Sequence, residues 1–301
     1  MGEQKVVIFA NPIAGRGKGR LLAGHLKQRF EKKGWDVQQI FDRPESVSQD
    51  TLTGAAAVVS IGGDGTLRSV VERVTDGGAT EGPGILVVPM GTANLMGRHL
   101  GIGLSEQGLE DRAVEAIRAK RIVRLDAARL RGTEERLFLL MVGVGIDGAI
   151  VHALDRVRQG PIGYLSYLRP AVEALTGYSF HELEVEVDGK RVWRRGPGIV
   201  FVGNVPEYGT GFPILPLARS DDGLLDVCVL PAKSATDLIE HAVATLAQEH
   251  HLREGAVYVK GKRVVVRSKE PVAVQADGDP AGWTPIEIEL LKTRVAFIVP
   301  P

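Results

Sequence analysis

The chain predicts an α/β protein in two parts, a mainly parallel sheet covered by helices followed by an antiparallel sandwich or barrel. Two observations carry this expectation. Over the first 125 residues, short β-branched runs alternate with helical patterns, which is how a parallel sheet covered on both faces reads. From about residue 122 short strand-like runs follow one another with hairpin signals among them, and only two helical patterns interrupt them.

In the first part, residues 6–10, 37–41, 58–61 and 85–89 read as strands. Leu21, Leu22, Leu26 and Phe30 recur at helical spacing, as do Leu67, Val70, Val71 and Val74. In the second part the strand-like runs are 123–130, 137–142, 183–187, 199–202, 225–230, 257–259, 264–266, 272–274 and 286–290. Asp188-Gly189 links residues 184–187 to 191–193 as a hairpin turn. The helical patterns are 151–176 and 235–249, the latter capped by Ser234 with Asp237 at the third helical position.

Composition narrows the function classes. Lysine plus arginine and aspartate plus glutamate both total 37, so the basic excess expected of a non-specific nucleic-acid binder is missing. The single cysteine, Cys228, has no internal partner and is expected in the core; this fits a cytoplasmic protein. No apolar run reaches the ~18 residues of a spanning helix, and residues 5–10 are too short an apolar stretch for a secretory signal. His241, His250 and His251 lack metal-binding spacing and are expected to face solvent.

Four turns carry candidate chemistry. Asn11-Pro12-Ile13-Ala14-Gly15 leads a glycine-rich, basic loop after the first strand. Such a loop serves anion binding through close backbone approach, or is a flexible surface loop. Gly62-Gly63-Asp64-Gly65-Thr66 follows another strand and opens an amphipathic helix. Its N–H groups suit phosphate oxygens, and the acid among them hints at magnesium; the alternative is a tight β–α turn in which Asp64 or Thr66 caps the helix. Gly91-Thr92-Ala93-Asn94 supplies neutral donors and acceptors for ribose, adenine or phosphate, or caps a helix. In open α/β sheets ligands gather beyond the carboxyl ends of the strands, where all three turns lie. The fourth constellation, Asp221-Asp222-Gly223-Leu224-Leu225-Asp226 with Asp277-Gly278-Asp279, offers hard oxygen ligands and a proton acceptor, although both segments also read as hairpin turns.

In this order the motifs resemble the diacylglycerol kinase catalytic family, and within it the bacterial soluble lipid kinases. The resemblance runs from residue 5 to about 290. Gly62-Gly63-Asp64-Gly65-Thr66 is shared with NAD kinases; the Asn11-Pro12 start, the Asp222 segment and the closing Asp277-Gly278-Asp279 favour the lipid branch. It implies an N-terminal three-layer α/β nucleotide-binding domain over 1–125, an antiparallel β-sandwich over 126–290, and a final segment, 291–301, returning to the first. ATP would lie between them, held by Asn11, Pro12, Ile13, Ala14, Gly15, Gly62, Gly63, Asp64, Gly65, Thr66, Leu67, Arg68, Thr92 and Asn94. Mg2+ would be held by Asp222 with the carbonyls of Arg219 and Leu224. The proton acceptor would be Asp279, with Asp277 competing, and Asp64 would be essential to turnover. Two departures stand out: the family often closes the last motif with glutamate, and it often has aspartate where this chain has Leu95.

The implied function is ATP- and magnesium-dependent phosphorylation of a hydroxyl of diacylglycerol or a related lipid. It implies transient contact with a membrane surface, no nucleic-acid partner, and compatibility with a homodimer. Residues 160–168 are a candidate acceptor wall. The rival readings are an NAD kinase-like enzyme acting on a soluble ribose and a catalytically silent nucleotide- or lipid-binding regulator.

Overall fold

In the computed structural model the described residues are 4–76, 78, 80–103, 108–157, 177–209 and 211–301. The chain divides into two units, Met1–Leu125 with Lys292–Pro301, and Asp126–Leu291.

The first unit is built on β1 (Gln4–Ala10), β2 (Trp35–Ile40), β3 (Ala55–Gly62) and β4 (Gly84–Pro89), with β5 (Ile122–Leu125) at one edge. Its sheet is ordered β2-β1-β3-β4-β17-β5, where β17 (Val295–Ile298) comes from the end of the chain. β17 runs parallel to β4 and antiparallel to β5. The central strands are buried along nearly their whole length, because helices cover them. α1 (Gly19–Glu31) and α2 (Asp64–Val74) turn their apolar stripes inward: Leu26 and Phe30 of α1, and Leu67, Val70 and Val71 of α2, are all 2% exposed or less. The short α3 (Leu95–His99) and α4 (Leu109–Ala119) complete the unit.

The second unit is antiparallel. β6 (Ala128–Arg131), β7 (Glu135–Phe138), β9 (Glu182–Val187), β13 (Arg263–Ser268) and β16 (Ile286–Leu290) form one sheet. β8 (Met141–Val144), β11 (Leu225–Pro231), β12 (Val257–Gly261), β14 (Ala273–Ala276) and β15 (Asp279–Trp283) form the other. The long β10 (Lys190–Gly203) belongs to both: its first half pairs with β9 across two register shifts, and its second half pairs with β8 and β11. Alternate residues of β9, Leu183, Val185 and Val187, enter the core between the sheets with Val264, Val266, Ile286 and Ile288. The α/β and antiparallel β-sandwich architecture is therefore the one expected.

Several details differ from the sequence reading. The apolar run 123–130 is two strands, β5 and β6, broken at Asp126, whose main chain pairs with Ser220 and Asn204 instead of a neighbouring strand. The run 137–142 is also two strands, β7 and β8. Residues 191–193 and 199–202 are one strand, β10. The second-half helix α5 (Ile146–Val157) starts earlier than expected, and the rest of 151–176 lies outside the described residues, as does the proposed acceptor wall 160–168. The helix α6 (Ala235–Leu246) carries the expected capping box between Ser234 and Asp237. Cys228 is fully buried and burial pushes its thiol up to about 12. Two histidines depart from expectation: His241 and His250 are buried, their Nε2 atoms against the carbonyls of Pro231 and Ile214. Among the described residues no helix is long and apolar enough to cross a membrane.

Candidate active site

Three turns of the first unit, after β1, β3 and β4, are tied into one surface. Asn11 accepts the N–H of Ile13 on its Oδ1 and points its Nδ2 at Thr66 Oγ1, 3.4 Å away. The backbone closes the rest: Asn11 N donates to Ile61 O, Gly15 N to Met90 O and Met90 N to Gly62 O. The second and third turns touch main chain to main chain. A Cβ on Gly91 would lie 2.6 Å from the Gly63 Cα, so glycine is required there by close approach.

Asp64 is the link between two of these turns. Its carboxylate accepts the N–H of Leu95 at 3.0 Å and of Met96 at 3.1 Å. The capping alternative is thus half met, because Asp64 caps α3, the helix after the third turn, and not α2, which it opens. Burial raises the Asp64 pKa, and the backbone donors work against that rise. Asn94 sits in the left-handed region at φ 50° and closes its own turn, accepting from Gly91 N and donating to Gly91 O, both at 2.7 Å. Its side chain shapes the turn, while Thr92 is exposed. Leu67 points into the core at 2% exposure, and its N–H donates to Gly63 O, so neither group faces a ligand. Ile13 is exposed at 76%; Pro12, Ala14, Gly65 and Arg68 are half-buried.

The acidic turns belong to the second unit. Asp222 accepts the N–H of Leu224 on Oδ1 and lies 2.9 Å from Lys260 Nζ through Oδ2. Lys260 also approaches Asp226 at 3.3 Å, and Tyr258 donates its hydroxyl to Asp226 at 2.7 Å. Burial opposes the charge of Lys260, but Asp222 and Asp226 outweigh it and raise its pKa. The turn is braced by Asp126, a residue the sequence did not single out: its Oδ2 accepts Gly223 N at 2.7 Å and its N–H donates to Ser220 O. Residues 220–223 lead into β11 and are not a hairpin turn. Arg219 is exposed and pairs with Asp221. Among the described residues no group of three or more His, Cys, Asp or Glu side chains is placed to hold a metal ion. One carboxylate with main-chain carbonyls is nevertheless a donor set that suits magnesium, which keeps several of its waters. Asp222 with the Arg219 and Leu224 carbonyls offers donors of those types, while both oxygens of the Asp222 carboxylate are engaged here by Leu224 N–H and Lys260 Nζ.

Asp277 and Gly278 form a two-residue hairpin turn between β14 and β15, with φ 51° and 83° and Ala276 facing Asp279. Positive φ at both positions is the type I′ pattern that an Asp-Gly pair favours. The Asp277 carboxylate accepts three N–H groups, from Leu139 at 2.8 Å, Leu140 at 2.9 Å and Met141 at 3.0 Å. This divides β7 from β8, since those amides turn to a carboxylate. The same three bonds commit Asp277 to the main chain. Asp279 is half-buried at the start of β15.

A parallel α/β unit with glycine turns after its strands is of the class of α/β folds in which ligands gather beyond the strand ends. The sequence comparisons name its family. Residues 5–130 match the diacylglycerol kinase catalytic domain and residues 140–299 the YegS C-terminal NAD kinase beta sandwich-like domain. The chain belongs to the diacylglycerol kinase catalytic family, a family of lipid kinases. It is 24% identical over 300 residues to "Diacylglycerol kinase" of Bacillus subtilis, covering 97% of this chain and 95% of that protein. It is 27% identical to "Probable lipid kinase YegS-like" of Pseudomonas syringae pv. syringae, covering 86% and 82%. In fold it is similar to a diacylglycerol kinase from Bacillus anthracis (TM-score 0.68, 21% identity, 99% of this chain and 97% of that one). It also resembles an NAD kinase from Archaeoglobus fulgidus in complex with ATP (TM-score 0.58, 15% identity, 98% and 93%).

Proposed function

We propose that the protein transfers the γ-phosphoryl group of ATP to a hydroxyl of diacylglycerol or a related lipid, with magnesium. The observation that carries this is the joining of the three glycine turns, the second to the third through Asp64, Gly63 and Gly91 and the first to both through Asn11 and Gly15, in a chain whose relatives include diacylglycerol kinases. The Gly62 to Thr66 turn at the start of α2 offers backbone N–H groups to phosphate, Asn11 to Gly15 and the 91–94 turn frame that surface, and Asn94 and Asp64 keep the turns in shape. Leu67 supports the second turn from the core, and Arg68 and Thr92 reach the nucleotide from its rim. Asp222 and the Arg219 and Leu224 carbonyls would hold magnesium, which would supply positive charge against that of the phosphates. Asp279 accepts the proton of the attacking hydroxyl late in the step, whereas Asp277 supports the turn. Positioning and electrostatics supply most of the acceleration in such transfers. Contact with the acceptor's membrane is transient on this reading; the cytoplasm is the compartment, and a homodimer is compatible.

Incubating the protein with labelled ATP, magnesium and a total lipid extract is expected to place label in a phospholipid. Asp279→Asn is expected to lower turnover by two or more orders of magnitude, roughly the value of a general base. Asp277→Asn is expected to lower stability first. The reverse ranking would hand the base to Asp277. The second reading, an NAD kinase-like enzyme, is favoured by the likeness to the ATP-bound NAD kinase. Label in NAD and in no long-chain alcohol would make it the function.

A further inference from the structure

Asp147 lies half-buried in the second unit, in the first turn of α5, where a helix N-terminus favours negative charge. None of the catalytic roles above uses it. Its Oδ1 accepts the Tyr208 hydroxyl at 2.7 Å and its Oδ2 accepts Gln275 Nε2 at 2.9 Å. Gln275 is itself fully buried on β14, and its Oε1 accepts the N–H of Gly278 at 2.9 Å. Gly278 is the middle residue of the turn that ends in Asp279.

The donor and acceptor logic of this chain runs one way. Gly278 N–H can only donate, so the Gln275 atom facing it must be the amide oxygen. The amide nitrogen then faces Asp147, which must be an acceptor there. The site is also cut to shape for the carboxylate: a Cβ on Gly143, the residue opposite Gln275 on β8, would lie 1.7 Å from Asp147 Oδ2 and 2.9 Å from Gln275 Nε2. A Cβ on Gly148 would strike the Ala273 carbonyl of β14 at 2.3 Å, so the first turn of α5 is packed directly on the strand that carries Gln275.

We propose that Asp147 is a positioning residue: its acceptor-only carboxylate fixes the orientation of the Gln275 amide, and Gln275 thereby latches the 277–279 turn that carries the proton acceptor. This deepens the proposed kinase function and rests on it. Asp147 touches no reacting atom; it acts through Gln275. Replacing it by leucine leaves Gln275 Nε2 without its acceptor, and the amide is no longer held toward the Gly278 N–H. Replacing Gln275 by glutamate sets two acceptors against each other at Asp147. Changing Asp147 to asparagine and Gln275 to glutamate together restores both bonds with the first one's polarity exchanged. The asparagine amide introduced at position 147 then donates to the carboxylate introduced at position 275, and that carboxylate still accepts the Gly278 N–H.

The test measures phosphate transfer and amide hydrogen exchange on four full-length variants, Asp147→Leu, Gln275→Glu, the Asp147→Asn/Gln275→Glu double variant and Tyr208→Phe. Each single change at 147 or 275 is expected to lower kcat at least about tenfold with the KM for ATP unchanged, as misplacement of a reacting group does. Each should also speed exchange at the Gly278 amide. The double variant is expected to recover kcat to within about threefold of wild type and to regain protection at Gly278. Tyr208→Phe removes a bond from the other carboxylate oxygen and leaves the latch, so its kcat should stay within about threefold. A double variant no better than the singles, a Tyr208→Phe loss as large as theirs, or unchanged exchange at Gly278 in the singles overturns the proposal. Wild-type protein that labels neither lipid nor NAD overturns the kinase reading and the catalytic role of the latch with it, while the exchange pattern alone then decides whether the latch itself exists.

Discussion

Among single residues, the informative groups are carboxylates that accept main-chain N–H groups far away in sequence. Asp64 holds Leu95 and Met96, Asp126 holds Gly223, and Asp277 holds Leu139, Leu140 and Met141. Asp64→Ala removes the partner of two backbone donors, which costs about 1–3 kcal/mol for each left buried without one. Turnover is expected to fall by two or more orders of magnitude while urea denaturation still shows one cooperative transition. Near-normal transfer by that variant removes Asp64 from the site. Asp147 makes a second, pH-dependent outcome available. Burial pushes its carboxyl up to about 6 from 3.8, with the Tyr208 and Gln275 hydrogen bonds pulling the other way. A native pKa above the unfolded one contributes stability that is present below pH 3.8 and lost as pH rises through 6. The loss amounts to about 3 kcal/mol for a shift of that size. The stability of wild type relative to Asp147→Asn is therefore expected to decline across that window and to be flat above it, as urea titrations at several pH values would show. A difference independent of pH means Asp147 does not titrate there.

Among the elements, the glycine turns and the split strands each turn on what the main chain can meet. Two loops can approach main chain to main chain only where no Cβ intervenes, and Gly91 against Gly63 is such a place. Gly91→Ala is expected to weaken ATP binding about tenfold or more, because the 63–66 and 91–94 turns must part to admit the methyl group. Gly34→Ala is the control. It has positive φ and open space around it, so it should cost about 1 kcal/mol of stability and leave ATP affinity alone. Calorimetric titration of both variants separates the effects, and equal affinities would discard the proposed nucleotide surface. The strand breaks at Asp126 and at Leu139-Leu140 were illegible in the sequence, because an apolar run looks the same whether its amides bond to a neighbouring strand or to a remote carboxylate. The buried histidines were hidden for a related reason: His241 and His250 are satisfied by the carbonyls of Pro231 and Ile214, which no spacing rule announces.

For the molecule as a whole, the order of elements places the glycine turns and the acidic turns in two separately built units, the first on a mainly parallel sheet and the second on an antiparallel one. A ligand that binds the native state and not the unfolded one raises its stability by mass action, about 2.7 kcal/mol at a hundredfold excess over Kd. ATP is accordingly expected to raise Tm by a few degrees, more with magnesium than without, and inorganic sulfate less. Thermal unfolding that ignores ATP would count against nucleotide binding before any acceptor is tried.

Residue order alone was enough to establish the two-part architecture, the positions of the glycine turns and the acidic motifs, and through them the kinase family. These are local properties: hydrophobic period, turn chemistry, and residue types at short spacing. The same reading preferred Asp279 to Asp277 as proton acceptor without seeing the three main-chain bonds of Asp277, and it missed the contacts of Asp126, Lys260, Asp147 and Gln275. It also assigned Asn94 and Leu67 to a ligand when their side chains brace a turn and fill the core. Side-chain contacts of this kind arise only in three dimensions, because each depends on which donor meets which acceptor, or which side chain meets the core, once the chain has folded. Several of these partners stand tens to more than a hundred residues apart, and hydrogen bonds at that separation leave no period in the sequence.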